Sequence, residues 1–250
     1  MIHSILKTSL NRAVRWKWIA VNPISFVDPP PIPPPDPSPP SPEEVATILT
    51  EAFKDPDWGA LVWLAMVAGA RRGEFSALRW ADLDLDRVTL TVGRSIGQIG
   101  GRSWEKDTKT HQRRRISLDA ATVQLLDDHR SRCTARCTAL GIGLDADAYV
   151  FSLDPDNSTP LRPGTITQRY GRMAKALGLD THFHALRHYS ATELIAAGVD
   201  PRTVAGRLGH GGGGATTLRV YSAWVPESDR KAAETIAARM PAPPRPAPGM

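Results

Sequence analysis

Cysteine is nearly missing from this chain: Cys133 and Cys137 are the two in 250 residues, too few for a disulfide framework. Long apolar runs are missing too. The longest, WGALVWLAMVAGA from Trp58 to Ala70, is too short to span a bilayer and reads as a buried helix. No lysine followed by serine or threonine comes after the run of glycines at Gly211 to Gly214, which removes a phosphate-cradling nucleotide loop. A G-x-S-x-G elbow is absent as well. The carboxylates of DLDLD, Asp82 to Asp86, suggest a cation loop, but Arg87 stands where a calcium loop needs glycine. The N-terminus is polar and basic rather than a secretory leader. These absences lead to the expectation of a cytoplasmic protein without metal or cofactor.

What is present begins with charge. The formal net charge of +5 favours a polyanionic partner without requiring one. His129, Cys133 and Cys137 recur at helical i, i+4, i+8 spacing. Three ligands on one helix with no fourth nearby make a poor zinc site, so the triplet reads as a packed helix face.

The chain falls into segments. In residues 1 to 22, Ile2, Leu6, Leu10, Ala13 and Val14 form one helical stripe that a lone helix cannot bury. PPPIPPPDPSPPSP, Pro29 to Pro42, reads as an extended spacer. Ser41-Pro42-Glu43-Glu44 then signals a helix start, with serine as cap and Glu44 closing a capping box. Helices are expected at 42–53, 58–69, 72–79, 119–140, 184–197 and 201–208. Another runs from a Thr165/Gln168 capping box to near Gly178, and further helices at 215–224 and 227–240 follow. RVTLTVGRSI and RRRISL read as strands. The tail PAPPRPAPGM is disordered by composition. The fold class expected is mainly α with a small antiparallel sheet inserted early.

Polar clusters interrupt that pattern. Arg71 and Arg72 follow directly on the buried helix, with Glu74 close behind; such arginines are either ion-paired in the core or aimed into a cleft. Lys109 and Arg113 to Arg115 mark a basic connection between strands, which is a solvated edge or a functional finger. His184, Arg187 and His188 share a helix face. The two histidines resemble a zinc helix, but Ala185 occupies the place where metalloprotease chemistry needs glutamate. His210 and Tyr221 flank the glycine run. Two arginines, a lysine, histidines and a tyrosine suit attack on a phosphodiester without metal. A phenol attacks once a base takes its proton, guanidiniums hold the phosphoryl oxygens, and a lysine protonates the leaving oxygen.

The blocks AGARRGE, TKTHQRRRISL, HALRH and LGHGGGGATTLRVY, in this order, resemble the tyrosine recombinase (phage integrase) family over about Ser41 to Met240. The resemblance implies that Arg71 is the first catalytic arginine, with Glu74 supporting it. Lys109 is implied as general acid for the leaving 5′-oxygen. His184 would assist proton transfer, Arg187 clamp the phosphate, His210 donate a hydrogen bond to it, and Tyr221 act as nucleophile. His188 packs or hydrogen-bonds behind the site. Cleavage would leave a 3′-phosphotyrosine and a free 5′-hydroxyl, and religation would need neither ATP nor metal.

The partners implied are double-stranded DNA at attachment sites and, on DNA, further copies of the chain in a tetramer formed from free monomers. Accessory directionality or bending proteins are implied as well, and no membrane. By the same resemblance, residues 1–28 are the C-terminal remnant of a helical core-binding domain, 29–42 the linker, 43–240 the catalytic domain and 241–250 a tail. The spacer between His210 and Tyr221 is about two residues longer than usual for the family, and its glycines suggest a flexible tether for the nucleophile. The alternative reading is a truncated prophage-remnant protein that binds DNA with little or no recombination.

Overall fold

Ser41 sets the start of the larger unit. In the computed structural model, which describes residues 2–29, 38–107 and 113–210, its hydroxyl accepts from the backbone N–H of Glu44 at 3.2 Å. The Glu44 carboxylate accepts the Ser41 N–H at 2.7 Å. That reciprocal box opens helix α2 (Pro42–Ala52). Asp55 caps helix α3 (Pro56–Ala68) through the N–H groups of Asp57 and Trp58. Helix α3 is apolar on nearly every side, and nine of its residues are buried. It is therefore the axis on which the unit packs, touching α2 and the two helices α5 (Ala120–Ala139) and α7 (Ala185–Ala196).

After helix α4 (Arg72–Ser76) and a 3-10 turn at Trp80–Asp82 come five short strands. Strands β1 (Leu83–Asp84), β2 (Thr89–Val92) and β5 (Arg114–Ser117) form one antiparallel sheet in the order β1-β2-β5. Its register sets buried Leu90 against buried Ile116. Strands β3 (Arg94–Ile99) and β4 (Arg102–Asp107) form a separate hairpin. Helices α6 (Pro163–Ala176) and α8 (Pro201–Leu208) complete the described elements. The mainly helical fold with small antiparallel sheets is as expected.

Several details differ from the sequence reading. RVTLTVGRSI is two strands in two sheets, broken at Gly93, where a Cβ would meet Arg113 Nε at 3.0 Å. The stretch read as a plain connection contains β4, joined to β3 by Gly100 and Gly101, both at positive φ (54° and 81°). Such pairs match the twist of a two-residue hairpin. Helix α4 stops at Ser76, and the extended backbone of Arg79 (φ −116°, ψ 158°) then forms an isolated antiparallel bridge with Tyr149. Helix α6 starts at Pro163, not at a Thr165 cap, since proline suits the first turn and Gln98 Oε1 accepts the Gly164 N–H at 2.8 Å. The helices expected at 215–224 and 227–240, the glycine tether and the tail lie outside the described residues.

The chain divides into two compact units, Met1–Pro35 and Asp36–Met250. In the first, helix α1 (Ile2–Arg15) is shorter than the expected 1–22. Lys17 takes a left-handed φ of 60°, and the N–H groups of Lys17 and Trp18 close on Val14 and Ala13, a Schellman-type end. Asn22 then ties the return by donating to Lys7 O and Asn11 Oδ1. None of the residues of α1 is buried.

The face of α5 read from His129, Cys133 and Cys137 is indeed packed: all three are buried. What the spacing did not reveal is Asp57. Its carboxylate accepts from His129 Nδ1 (3.0 Å), Arg132 Nε (2.8 Å) and Arg136 Nη1 (2.7 Å), pinning α3 to α5. His129 Nε2 meets the Val150 carbonyl at 2.7 Å. With acceptors on both sides, both ring nitrogens donate, so the ring is an imidazolium. Burial alone would lower its pKa, but the Asp57 carboxylate outweighs that and raises it to about 9. Asp57, despite its own burial, is held below the usual carboxylate range by His129 and the two arginines.

The raised histidine stabilises the fold fully below pH 6.5, and that contribution fades as pH rises through about 9. His129→Gln is therefore expected to cost about 2 kcal/mol in urea denaturation at pH 6.5. The gap from wild type should narrow as the pH approaches 9 and beyond; a gap that does not change with pH would contradict the charged ring.

Candidate active site

Two helix ends meet at the site. Helix α3 ends at Gly69 (φ 57°) and α8 at Gly209 (φ 69°), both left-handed, a conformation that costs other residues about 1–2 kcal/mol. At α8 the N–H of Gly209 bonds Gly206 O and that of His210 bonds Ala205 O. This is a Schellman motif, and it holds His210 to the helix end. The terminal carbonyls of both helices carry the negative end of the helix dipole, and arginines collect there.

Arg187, buried to 3 % exposure, donates from Nη1 to Gly69 O (2.5 Å) and Leu208 O (2.7 Å), joining the two ends. Arg71 Nη2 donates to Gly209 O at 3.3 Å. Arg207 donates to Val67 O and Ser117 O. Gly69 has no room for a side chain: a Cβ there would lie 2.4 Å from Leu208 Cδ2.

Glu74 orients Arg71. Its buried carboxylate accepts the Arg71 backbone N–H (2.8 Å) and Arg71 Nη1 (3.1 Å). The same carboxylate takes a two-pronged grip from Arg114 of β5, Nη2 at 2.6 Å and Nη1 at 3.2 Å. Burial would raise the Glu74 pKa, but Arg114 and then Arg71 hold it below its ordinary value. Glu74 is thus a supporting anion. Arg71 also lines a cleft of about 330 Å³ together with Arg72, Thr167, His182, Phe183 and His184.

Two histidines complete the cluster in a state opposite to that of His129. His184 immediately precedes α7, its ring edge-on to His188 at 4.9 Å. Burial first, then His188 and Arg187, lower its pKa to about 4. His210 is lowered to about 4 by burial, then by Arg187, Arg71 and Arg114. Both are neutral near pH 7, so each offers one N–H to donate and one nitrogen to accept a proton. An arriving phosphate would add negative charge and raise both values. Buried guanidiniums beside neutral imidazoles can hold a phosphodiester and move a proton.

Of the six residues expected in the site, Arg71, His184, Arg187 and His210 come together here. Lys109 and Tyr221 lie outside the described residues. Sequence reasoning missed the roles of Arg114 and Arg207. Strand alternation contained a signal for the first: Arg114 shares a face with buried Ile116, while Arg115 points to solvent. Among the described residues no cluster of His, Cys, Asp or Glu could hold a metal ion, and no helix is long and apolar enough to cross a membrane.

A family model described as the phage integrase family matches residues 41–224. The chain belongs to the phage integrase family. Similar family members include a tyrosine recombinase XerC-like protein of Caldanaerobacter subterraneus subsp. tengcongensis, 29% identical over 255 residues. The match takes in 94% of this chain and 64% of that protein. The ICEBs1 integrase of Bacillus subtilis is 29% identical over 175 residues, 69% of this chain and 46% of its own length. The chain therefore spans less than two thirds of these curated relatives. Among solved integrase structures, the Tn1549 transposon integrase in complex with transposon right end DNA has a TM-score of 0.74 at 21% identity. That likeness covers 94% of this chain and 78% of that one. A lambda integrase tetramer bound to a Holliday junction has a TM-score of 0.60 at 20% identity, covering 88% and 58%. At such identities the likeness is one of fold.

Two outcomes are expected. In a proton NMR titration, His184 and His210 should titrate near pH 4 while His129 titrates near 9; ordinary midpoints at His184 and His210 would refute the arginine cluster as drawn. Gly69→Ala should lower stability by roughly 1–3 kcal/mol, read by thermal denaturation, and disturb the resonances of Leu208.

Proposed function

We propose that this chain is a tyrosine-type, site-specific DNA recombinase that cleaves and rejoins strands through a 3′-phosphotyrosine, without metal or ATP. The observation that carries the reading is the convergence of Arg71, Arg187, His184 and His210 on the joined ends of α3 and α8. Family membership supplies the candidates for the two residues outside the described set, Lys109 and Tyr221.

In the proposed reaction the scissile phosphate sits against Arg71 and Arg187, and neutral His210 donates its N–H to a non-bridging oxygen. The Tyr221 phenol oxygen attacks phosphorus as its proton passes to neutral His184, whose basicity rises once the phosphate is bound. The bond from phosphorus to the 5′-oxygen breaks, and Lys109 donates the proton that makes the 5′-hydroxyl. The new phosphotyrosine keeps the energy of the original diester, so reversal with another 5′-hydroxyl rejoins DNA. The guanidiniums stabilise the charge that develops on the pentacoordinate oxygens.

The substrate proposed is duplex DNA at an attachment site, bound by several copies of the chain. Similar integrases were solved with transposon DNA and, for lambda integrase, as a tetramer on a Holliday junction. The net charge of +5 suits that partner. Action on a chromosome in the cytoplasm belongs to the same proposal.

The test is a nicked duplex carrying the attachment site. Wild type should form a protein–DNA adduct that survives denaturation, and Tyr221→Phe should form none. Arg71→Ala should slow adduct formation roughly 10²–10³-fold, with a smaller effect on binding. Affinity should fall steeply with added salt. Salt-dependent binding without any adduct would favour a DNA-binding protein that does not recombine.

A further inference from the structure

Arg114 stands apart from the residues that face the proposed phosphate, yet it touches several of the parts that hold them. Its side chain is 10% exposed, and that of its partner Glu74 is 2% exposed. The fork on Glu74 uses both terminal nitrogens, and Nε donates to Arg207 O in the last turn of α8 at 2.9 Å. One guanidinium therefore spans three elements: β5, which carries it; α4, which carries Glu74; and α8, which ends at His210.

The fit is close on the α8 side. A Cβ at Gly209 would lie 2.7 Å from Arg114 Nη1 and 3.0 Å from its Cζ. Glycine at 209 is thus needed twice, for its positive φ and for the space that Arg114 fills. Glu74 cannot orient Arg71 in isolation. A carboxylate this buried needs its charge compensated, and Arg71 alone, with 32% of its side chain exposed, is a partial partner. Arg114 supplies the second, fully seated cation. Lys109 precedes Arg114 by five positions in the sequence.

From this geometry we infer that Arg114 is a positioning residue: its fork on Glu74 and its bond to the end of α8 set Arg71 and His210 in register for one phosphate. The inference rests on the recombinase reading but is tested separately from it. A purely structural ion pair would hold β5 on α4 and leave the two reacting sides independent. Here the Arg114 charge also bears on His210, so removing it changes a property of the site and not only of the fold.

The experiment uses the full chain with Arg114→Gln, Arg114→Lys and Glu74→Gln, each checked for folding by circular dichroism. His210 is titrated by NMR without DNA, and adduct formation is followed on saturating nicked duplex. Arg114→Gln should move the His210 midpoint upward, towards 6.5. It should slow adduct formation roughly 10–100-fold while changing DNA affinity less than threefold. Arg114→Lys keeps a charge without the planar fork, so it should leave the midpoint near that of wild type and still slow adduct formation. Adding Glu74→Gln to Arg114→Gln should slow the reaction no further than the worse single variant.

An unchanged midpoint in folded Arg114→Gln would overturn the inference, and so would multiplicative losses in the double variant. If Arg114→Gln does not fold, Arg114→Lys decides: wild-type rates there would reduce Arg114 to a structural ion pair. Failure of wild type to form any adduct would count against the recombinase reading, and the titration would still decide the placement of Arg114 beside His210.

Discussion

Everything at the candidate site depends on the buried guanidinium of Arg187 bonding both Gly69 O and Leu208 O. Two helices that end facing one another would set negative dipole ends against each other. A buried cation between them turns that conflict into a joint, and it works because both helices stop in left-handed glycines that turn the chain away and expose the terminal carbonyls. Arg71 and Arg207 exploit the same carbonyl ends. The price is a concentration of positive charge inside the protein, relieved by one buried carboxylate, Glu74, gripped by Arg71 and Arg114.

That concentration, added to burial at His184 and His210, explains why histidines in one protein adopt opposite charge states. His129 sits between a carboxylate and a carbonyl and holds its second proton to about pH 9. His184 and His210 sit among guanidiniums and lose it until about pH 4. The first is a fastener between α3 and α5. The other two remain neutral, the state in which an imidazole can both give and take a proton at neutral pH. In the proposed reaction, an anion at the site would offset the repulsion that adds to burial in keeping them neutral. On the proposed function, binding of a phosphodiester and readiness for proton transfer would be coupled by one field.

Local chemistry was readable where it depended on adjacent residues. Ser41 and Glu44 and the uniformly apolar α3 marked their helices within a residue or two. The β3–β4 hairpin was also written in the chain, as Gly100-Gly101, but β4 (RSWEKD) is too polar for hydrophobic alternation to reveal it. The start of α6 was misread because a plausible Thr165 box lay one turn inside a better beginning. Pro163 and the remote Gln98 settled that choice, and no local pattern contains Gln98.

By itself the sequence determined which reactive residues exist, their order along the chain, and most of the helices that carry them, because helix starts, stops and turns depend on near neighbours. The ordered blocks around Arg71, His184, Arg187 and His210 were enough to suggest a phosphodiester chemistry. Only the tertiary structure decided that Asp57 charges His129, that Glu74 is shared by Arg71 and Arg114, and that His184 and His210 are neutral. Those outcomes depend on charges brought close from distant parts of the chain and on the water removed around them. Burial and distance in space, not spacing in sequence, set the energy of a charge.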